Sequence, residues 1–86
     1  MVTETIRVQL NYPKEQVQEP ILYRLVTKYG LVPNIRRANI DARTGGFIFL
    51  ELTGKKDELE KAIYWLEKIG IQVSAIGLDG TEEWVV

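Results

Sequence analysis

The fold is decided by residues 33–62, which read PNIRRANIDARTGGFIFLELTGKKDELEKA. Alternating apolar and polar residues predict one strand over 34–43 and another over 47–52. Thr44-Gly45-Gly46 lies between them, and paired glycines reach the positive φ angles of a tight hairpin without steric cost. The first part of this stretch therefore predicts an antiparallel hairpin.

A helix follows the hairpin directly. Thr53-Gly54 opens it, and apolar residues at helical spacing predict that it runs over 55–69, with acids in its first turn and Lys68 in its last. Gly70 is suited to end it, and alternation over 71–75 predicts one more strand.

The residues before the hairpin predict one strand and one helix. Alternation predicts the strand over 3–11, and the break after it ends at Pro20, a residue suited to the first helical position. An apolar stripe runs from Ile21 to Tyr29, and Gly30 can end the helix in the left-handed conformation.

The resulting order is strand–helix–strand–strand–helix–strand. It predicts an α+β fold of the ferredoxin-like split βαβ type, a four-stranded antiparallel sheet of order 4-1-3-2 with two helices on one face. We expect this domain to span residues 1–78. Residues 79–86 would be an acidic C-terminal tail that ends in apolar residues.

Composition excludes several classes of function. The 86 residues include no cysteine and no histidine, which removes thiolate and imidazole chemistry and the usual zinc ligands. The paired acids have no additional ligands near them in sequence, so we expect no metal site. No potential nucleophile has an activating partner nearby in sequence, so we expect no enzymatic activity, and we expect no cofactor. A net charge of −1 gives no overall attraction for nucleic acid, and no apolar run is long enough to enter a membrane. We expect a cytoplasmic protein.

Two groups of residues are candidates for recognition. Arg36, Arg37 and Arg43 give the second strand a cationic character suited to carboxylate or phosphate, although they can equally be solvated charges that protect a sheet edge. Phe47 and Phe49 point away from the aliphatic face of their strand and are predicted to form an interface together with Trp84. The alternative is that the tail covers both rings, with Trp84 as the lid.

The chain resembles the NIL domain family over about residues 5–77. The resemblance rests on Asn34-Ile35, on Ala38-Asn39-Ile40, on Gly46 followed by an aliphatic strand that ends at Glu51-Leu52-Thr53-Gly54, and on Gly70-Ile71-Gln72-Val73. NIL domains occur at the C-termini of methionine-importer ATPases, fused to ferredoxin-type clusters, and as free-standing small proteins. This chain has Arg36 where the family signature has leucine.

The resemblance implies an ACT-like homodimer that binds methionine or a related amino acid near the dimer interface. The predicted ligand-binding residues are Asn34, Ile35, Arg36, Arg37 and Asn39. A non-catalytic regulatory module of this kind is the first hypothesis. The second is a ligand-free adaptor that docks on a larger protein complex through the sheet face or the tail. An RNA-binding sheet ranks last, because the basic-Gly-aromatic signature of such modules is absent.

Overall fold

The computed structural model of the chain describes residues 3–17 and 19–75. These residues form an antiparallel sheet and two α-helices, the predicted α+β ferredoxin-like arrangement. In chain order the elements are β1 (Thr3–Tyr12), a 3-10 helix (Lys14–Gln16), α1 (Ile21–Tyr29), β2 (Val32–Asp41), β3 (Gly45–Lys55), α2 (Lys56–Lys68) and β4 (Gln72–Ala75).

The strand order across the sheet is β2-β3-β1-β4, which confirms the predicted order 4-1-3-2 when it is read from the other edge. β1 pairs with β3 along its whole length, from Thr3 opposite Lys55 to Tyr12 opposite Gly46. β2 is therefore an edge strand, and β4 is the strand at the other edge among the described residues.

One face of the sheet packs against both helices. Val8 and Leu50 lie opposite each other in the β1–β3 ladder and are fully buried, as are Leu25 of α1 and Leu66 of α2. Directly paired residues share a face, so Arg7, Gln9, Phe47 and Phe49 project from the other side, here called the far face. The core is thus a single layer between sheet and helices.

The hairpin turn lies earlier than predicted. β2 ends at Asp41 and β3 begins at Gly45, so the turn is formed by residues 42–44. The Asp41 carboxylate fixes it by accepting a hydrogen bond from the Arg43 N–H at 2.7 Å. The two glycines are needed for the backbone around the turn. Gly45 has a φ of 83°, which residues with a side chain rarely adopt. A Cβ on Gly46 would collide with the neighbouring strand, because it would lie 2.7 Å from the Cα of Ile40.

Other predicted boundaries move as well. Pro20 precedes α1 as its N-cap instead of occupying the first helical position, and the segment before it contains the 3-10 helix. Thr53-Gly54 belongs to β3, and α2 spans Lys56–Lys68. Trp84 and the predicted tail of residues 79–86 lie outside the described residues, so the predicted division at residue 78 stays a prediction.

Candidate functional site: a cavity beside the edge strand

The edge strand β2 presents an exposed apolar and cationic surface. Every residue of it is exposed except Pro33, which is half-buried. Val32, Ile35 and Ile40 are 63%, 48% and 37% exposed, which is unusual for aliphatic residues of a strand. A long exposed edge with such side chains is the kind of surface that pairs with another chain.

A β-bulge interrupts β2 at Arg36. Ile35 pairs with Leu50 and Arg37 with Phe49, so two steps along β2 correspond to one step along β3 and Arg36 is the extra residue. A bulge leaves its extra residue outside the ladder and bends the strand. As a result Ile35 faces the helix side, whereas Arg37 faces the far side.

The predicted ligand residues are therefore divided between surfaces. Asn34, Arg37 and Asn39 lie opposite Glu51, Phe49 and Phe47 and so share the far face with them, while Ile35 lies on the helix side and Arg36 in the bulge. The Asn34 amide donates to Glu51 Oε1 at 3.3 Å. The five residues do not form one pocket within a single chain.

Phe47 and Phe49 form a tilted ring pair on the far face, with centroids 5.0 Å apart. Phe49 is only 6% exposed, and Phe47 is half-buried. Phe47 is therefore the ring that a partner would reach more easily. The assignment of Phe47, Phe49 and Trp84 to an interface stays a prediction.

A small cavity lies where the end of β1, the start of α1 and β2 meet. Its volume is about 250 Å³. That size is somewhat below the ~300–1,000 Å³ of drug-sized sites, as expected for a ligand as small as an amino acid. The cavity is lined mainly by apolar side chains, which belong to Tyr12, Val17, Glu19, Pro20, Ile21, Leu22, Tyr23, Ile40 and Ile48. Ile40 belongs to the edge strand, so the cavity adjoins the exposed edge of β2.

Tyr12 contributes a buried polar group to this cavity. The residue is 6% exposed, and no hydrogen bond among residues 3–17 and 19–75 uses its hydroxyl. Burial raises its pKa to about 12 because removal from water disfavours the phenolate. Tyr12 therefore offers a neutral donor, and buried polar groups of this kind normally have a partner.

The start of α1 supplies further donors. Pro20 provides no side-chain cap, and the first α-helical hydrogen bond runs from the Arg24 N–H to the Pro20 carbonyl at 3.1 Å. Within the described part of the chain, the N–H groups of Leu22 and Tyr23 have no hydrogen-bond partner. An uncapped helix start has positive character and attracts carboxylates.

Sequence reasoning missed Tyr12 and this cavity. The sequence contains a signal for Tyr12, because Val8, Leu10 and Tyr12 continue one alternating apolar face. However, Asn11 and Pro13 on either side of Tyr12 favour a break, so the predicted strand ends at residue 11. None of the predicted ligand residues lines the cavity; Ile40, the neighbour of Asn39, does. Side chains from four distant segments form it, and alternation within one strand cannot reveal that.

Two features are absent from residues 3–17 and 19–75. Within these ranges, no group of three or more acidic side chains is placed to hold a metal ion. No helix in the same ranges has the length and apolar character needed to cross a membrane.

Comparisons with known proteins agree on one family. The NIL domain model matches residues 6–75. The methionine import ATP-binding protein MetN of Halalkalibacterium halodurans is 29% identical over 72 residues, which are 80% of this chain and 21% of that protein. The L-aspartate semialdehyde sulfurtransferase iron-sulfur subunit of Methanocaldococcus jannaschii is 32% identical over 56 residues, which are 65% of this chain and 42% of that protein.

A solved structure shows the same fold. The C-terminal domain of an ABC transporter ATP-binding protein from Enterococcus faecalis superposes with a TM-score of 0.74 at 25% identity, covering 85% of this chain and 84% of that domain. The chain spans less than half the length of the two curated relatives. Because the family model covers most of its residues, the chain belongs to the NIL domain family.

Proposed function

We propose that this chain is a non-catalytic regulatory module that binds a small amino acid, methionine above all. The binding site would be the cavity lined by Tyr12, here called the Tyr12 cavity, at a homodimer interface. The observation that carries the proposal is Tyr12, a buried residue that lines the cavity beside the start of α1 and whose hydroxyl lacks a hydrogen-bond partner among the described residues. Two relatives support a regulatory or ligand-binding role, since NIL domains occur in a methionine importer ATPase and in a sulfurtransferase subunit.

The lining matches each part of an aliphatic amino acid. The N–H groups of Leu22 and Tyr23, which have no hydrogen-bond partner among residues 3–17 and 19–75, would receive the carboxylate of the ligand. The carboxylate of Glu19 at the rim would receive its ammonium group. Val17 and Ile48 would contact the side chain of the ligand. The Tyr12 hydroxyl would donate to a weak acceptor on that side chain, and a thioether sulfur is such an acceptor.

Pairing of two chains through β2 would connect the cavity with the predicted ligand residues. A dimer with two-fold symmetry pairs identical edge strands in antiparallel fashion. Antiparallel pairing sets the 34–36 end of one strand beside the Ile40 end of the other. Ile35 and Ile40 both lie on the helix side, so the cavity of one subunit would then be completed by Ile35 and Arg36 of the partner subunit.

Such a composite site would make the module a sensor. A ligand that contacts both subunits stabilises the dimer by its differential affinity for the paired state. The state of the dimer would then report the amino acid concentration to whatever protein carries or binds the module. We place this action in the cytoplasm, beside an import ATPase.

The proposal is tested by thermal melting of the purified chain with L-methionine, D-methionine and L-homocysteine, together with the variants Tyr12→Phe and Tyr64→Phe. Tyr64 is 69% exposed and does not line the cavity, so its variant is the matched control. The expected result is a rise in melting temperature that is specific for L-methionine and reduced in Tyr12→Phe only. Absence of a shift at millimolar ligand would favour the ligand-free adaptor instead.

A further inference from the structure

A second concave surface lies on the helix layer, away from the β2 edge and from the far face. This surface, here called the helix groove, has a volume of about 520 Å³ and lies between the end of α1 and one stripe of α2. Its lining residues are Lys28, Tyr29, Glu60, Lys61, Tyr64, Trp65 and Lys68. The proposed amino-acid site uses none of them.

The helix groove combines aromatic rings with positive charge. The rings of Tyr29 and Trp65 are 5.9 Å apart, and the Lys28 ammonium group lies 5.4 Å and 5.6 Å from their centroids. Tyr64 adds a ring that is 69% exposed. This aromatic surface can pack against an apolar side chain, and the cation–π contact holds Lys28 at its rim.

The charges of the helix groove are not balanced locally. Three lysines line it against a single glutamate, although the whole chain has a net charge of −1. Lys61 pairs with Glu58 at 3.4 Å. No ion pair within the described ranges involves Lys28 or Lys68. The groove is therefore complementary to a negatively charged partner, and a second copy of the same face would be repelled.

The spacing of the lysines fits a peptide. Lys61 and Lys68 are seven residues apart on one helix, which corresponds to about 10.5 Å along its axis. Alternate side chains of an extended peptide share a face, so two side chains four positions apart lie on the same face about 13 Å apart. The long, flexible lysine side chains can span the difference. An acidic residue at each end of such a segment would face a lysine, and an apolar residue between them would face the rings.

We propose that the helix groove docks an acidic, extended segment of a partner protein that carries an aromatic side chain between two carboxylates. The groove lies on the helix layer, so pairing through β2 leaves it accessible in both subunits. It would therefore connect the module to a larger protein. Peptide docking at the helix groove does not require amino-acid binding at the Tyr12 cavity.

The test uses the full chain and the probe peptide acetyl-Glu-Ser-Phe-Ser-Glu-amide, in which both glutamates and the phenylalanine share one face of an extended chain. Binding is measured by two-dimensional amide NMR. The expected result is a saturable shift of the amide signals of residues 28–29 and 60–68. The affinity of the peptide should fall when the salt concentration rises from 50 to 300 mM. A control peptide with glutamine in place of both glutamates is expected to bind at least fivefold more weakly. Equal binding of the two peptides would overturn the proposal, as would shifts confined to other surfaces.

Exposed-site variants test which side chains recognise the peptide. Lys28→Gln and Lys68→Gln are each expected to weaken binding about two- to fivefold, since exposed ion pairs contribute little individually. Lys56→Gln, at the start of α2 and outside the groove, is the matched control and is expected to bind as the unaltered chain does. Unchanged affinity in the Lys28→Gln, Lys68→Gln double variant would contradict the assignment.

One further arm identifies the source of the acidic segment. The sequence itself contains Glu82, Glu83 and Trp84. If Glu82→Gln with Glu83→Gln shifts the helix-groove signals in the absence of peptide, the occupant is this chain's own C-terminal segment and the partner proposal is wrong. Unchanged groove signals support a segment of another protein.

Discussion

Replacing Tyr12 by phenylalanine is predicted to stabilise the unliganded protein and to weaken its ligand binding. Tyr12 is 6% exposed and its hydroxyl has no hydrogen-bond partner within the described ranges. Burying a hydroxyl without a partner costs about 1–3 kcal/mol. Tyr12→Phe keeps the ring and removes only the polar atom, so the free energy of unfolding should rise by about 1 kcal/mol or more. For a domain of this size, 1 kcal/mol corresponds to roughly 4–8 °C in melting temperature.

Ligand binding should change in the opposite direction. A neutral hydrogen bond contributes about 0.5–1.5 kcal/mol, so the variant should bind its amino acid roughly two- to tenfold more weakly. Stability and affinity would thus be opposed at one atom, which is common where a binding site is built before its ligand arrives.

The assay is urea and thermal unfolding of the full chain at one fixed protein concentration, because the proposed dimerisation would make the midpoint concentration-dependent. Tyr64→Phe is the control and should leave stability within about 0.5 kcal/mol of the unaltered chain. A loss of 1 kcal/mol or more in Tyr12→Phe would refute the reasoning, since it would mean that the hydroxyl already has a good partner in the unliganded protein.

Four further predictions concern pH, the hairpin and the edge strand. The pKa of Tyr12 is about 12 in the folded chain against about 10 when unfolded, so the unfolded chain loses this proton first as the pH rises. Up to about 2–3 kcal/mol of folding stability should therefore be lost between about pH 10 and 12. Alkaline unfolding of Tyr12→Phe should lack this loss. Gly46→Ala should cost about 2–4 kcal/mol in urea unfolding, because its Cβ would lie 2.7 Å from the Cα of Ile40. Ile35→Lys, at a side chain that is 48% exposed, should convert dimer to monomer in analytical ultracentrifugation while far-UV circular dichroism stays unchanged. Arg36→Leu should weaken amino-acid binding in calorimetry about five- to twentyfold if Arg36 of the partner subunit contacts the carboxylate of the ligand. If the variant binds as tightly as the unaltered chain, Arg36 does not belong to the site.

The arrangement of elements was predictable because local signals agreed with one another. Residues 33–62 contain two alternating stretches, a glycine pair and a helical stripe, with few residues between them. The order of the strands in the sheet follows from how the elements are connected. The precise turn was not predictable from the glycine pair alone. Asp41 forms the turn through a side-chain hydrogen bond, whereas Gly45 and Gly46 serve close approach of the neighbouring backbones.

The candidate site was predictable only in part, and for a physical reason. The NIL signature pointed to β2, which the structure places at the exposed edge. The bulge at Arg36 then divides the predicted residues between two faces, and apolar alternation carries no signal for a single extra residue. The cavity depends on packing between segments far apart in sequence, so Tyr12 became a candidate only once α1 and β2 were seen around it.

The central claim is that the Tyr12 cavity binds an amino acid. It is tested most directly by isothermal titration of L-methionine into the full chain and into Tyr12→Phe, with D-methionine as the stereochemical control. The account predicts saturable binding of the L-isomer, about two- to tenfold weaker in Tyr12→Phe, and none of the D-isomer in the same range. Binding of L-methionine that is unchanged in Tyr12→Phe, or no binding at all at millimolar concentration, would contradict it.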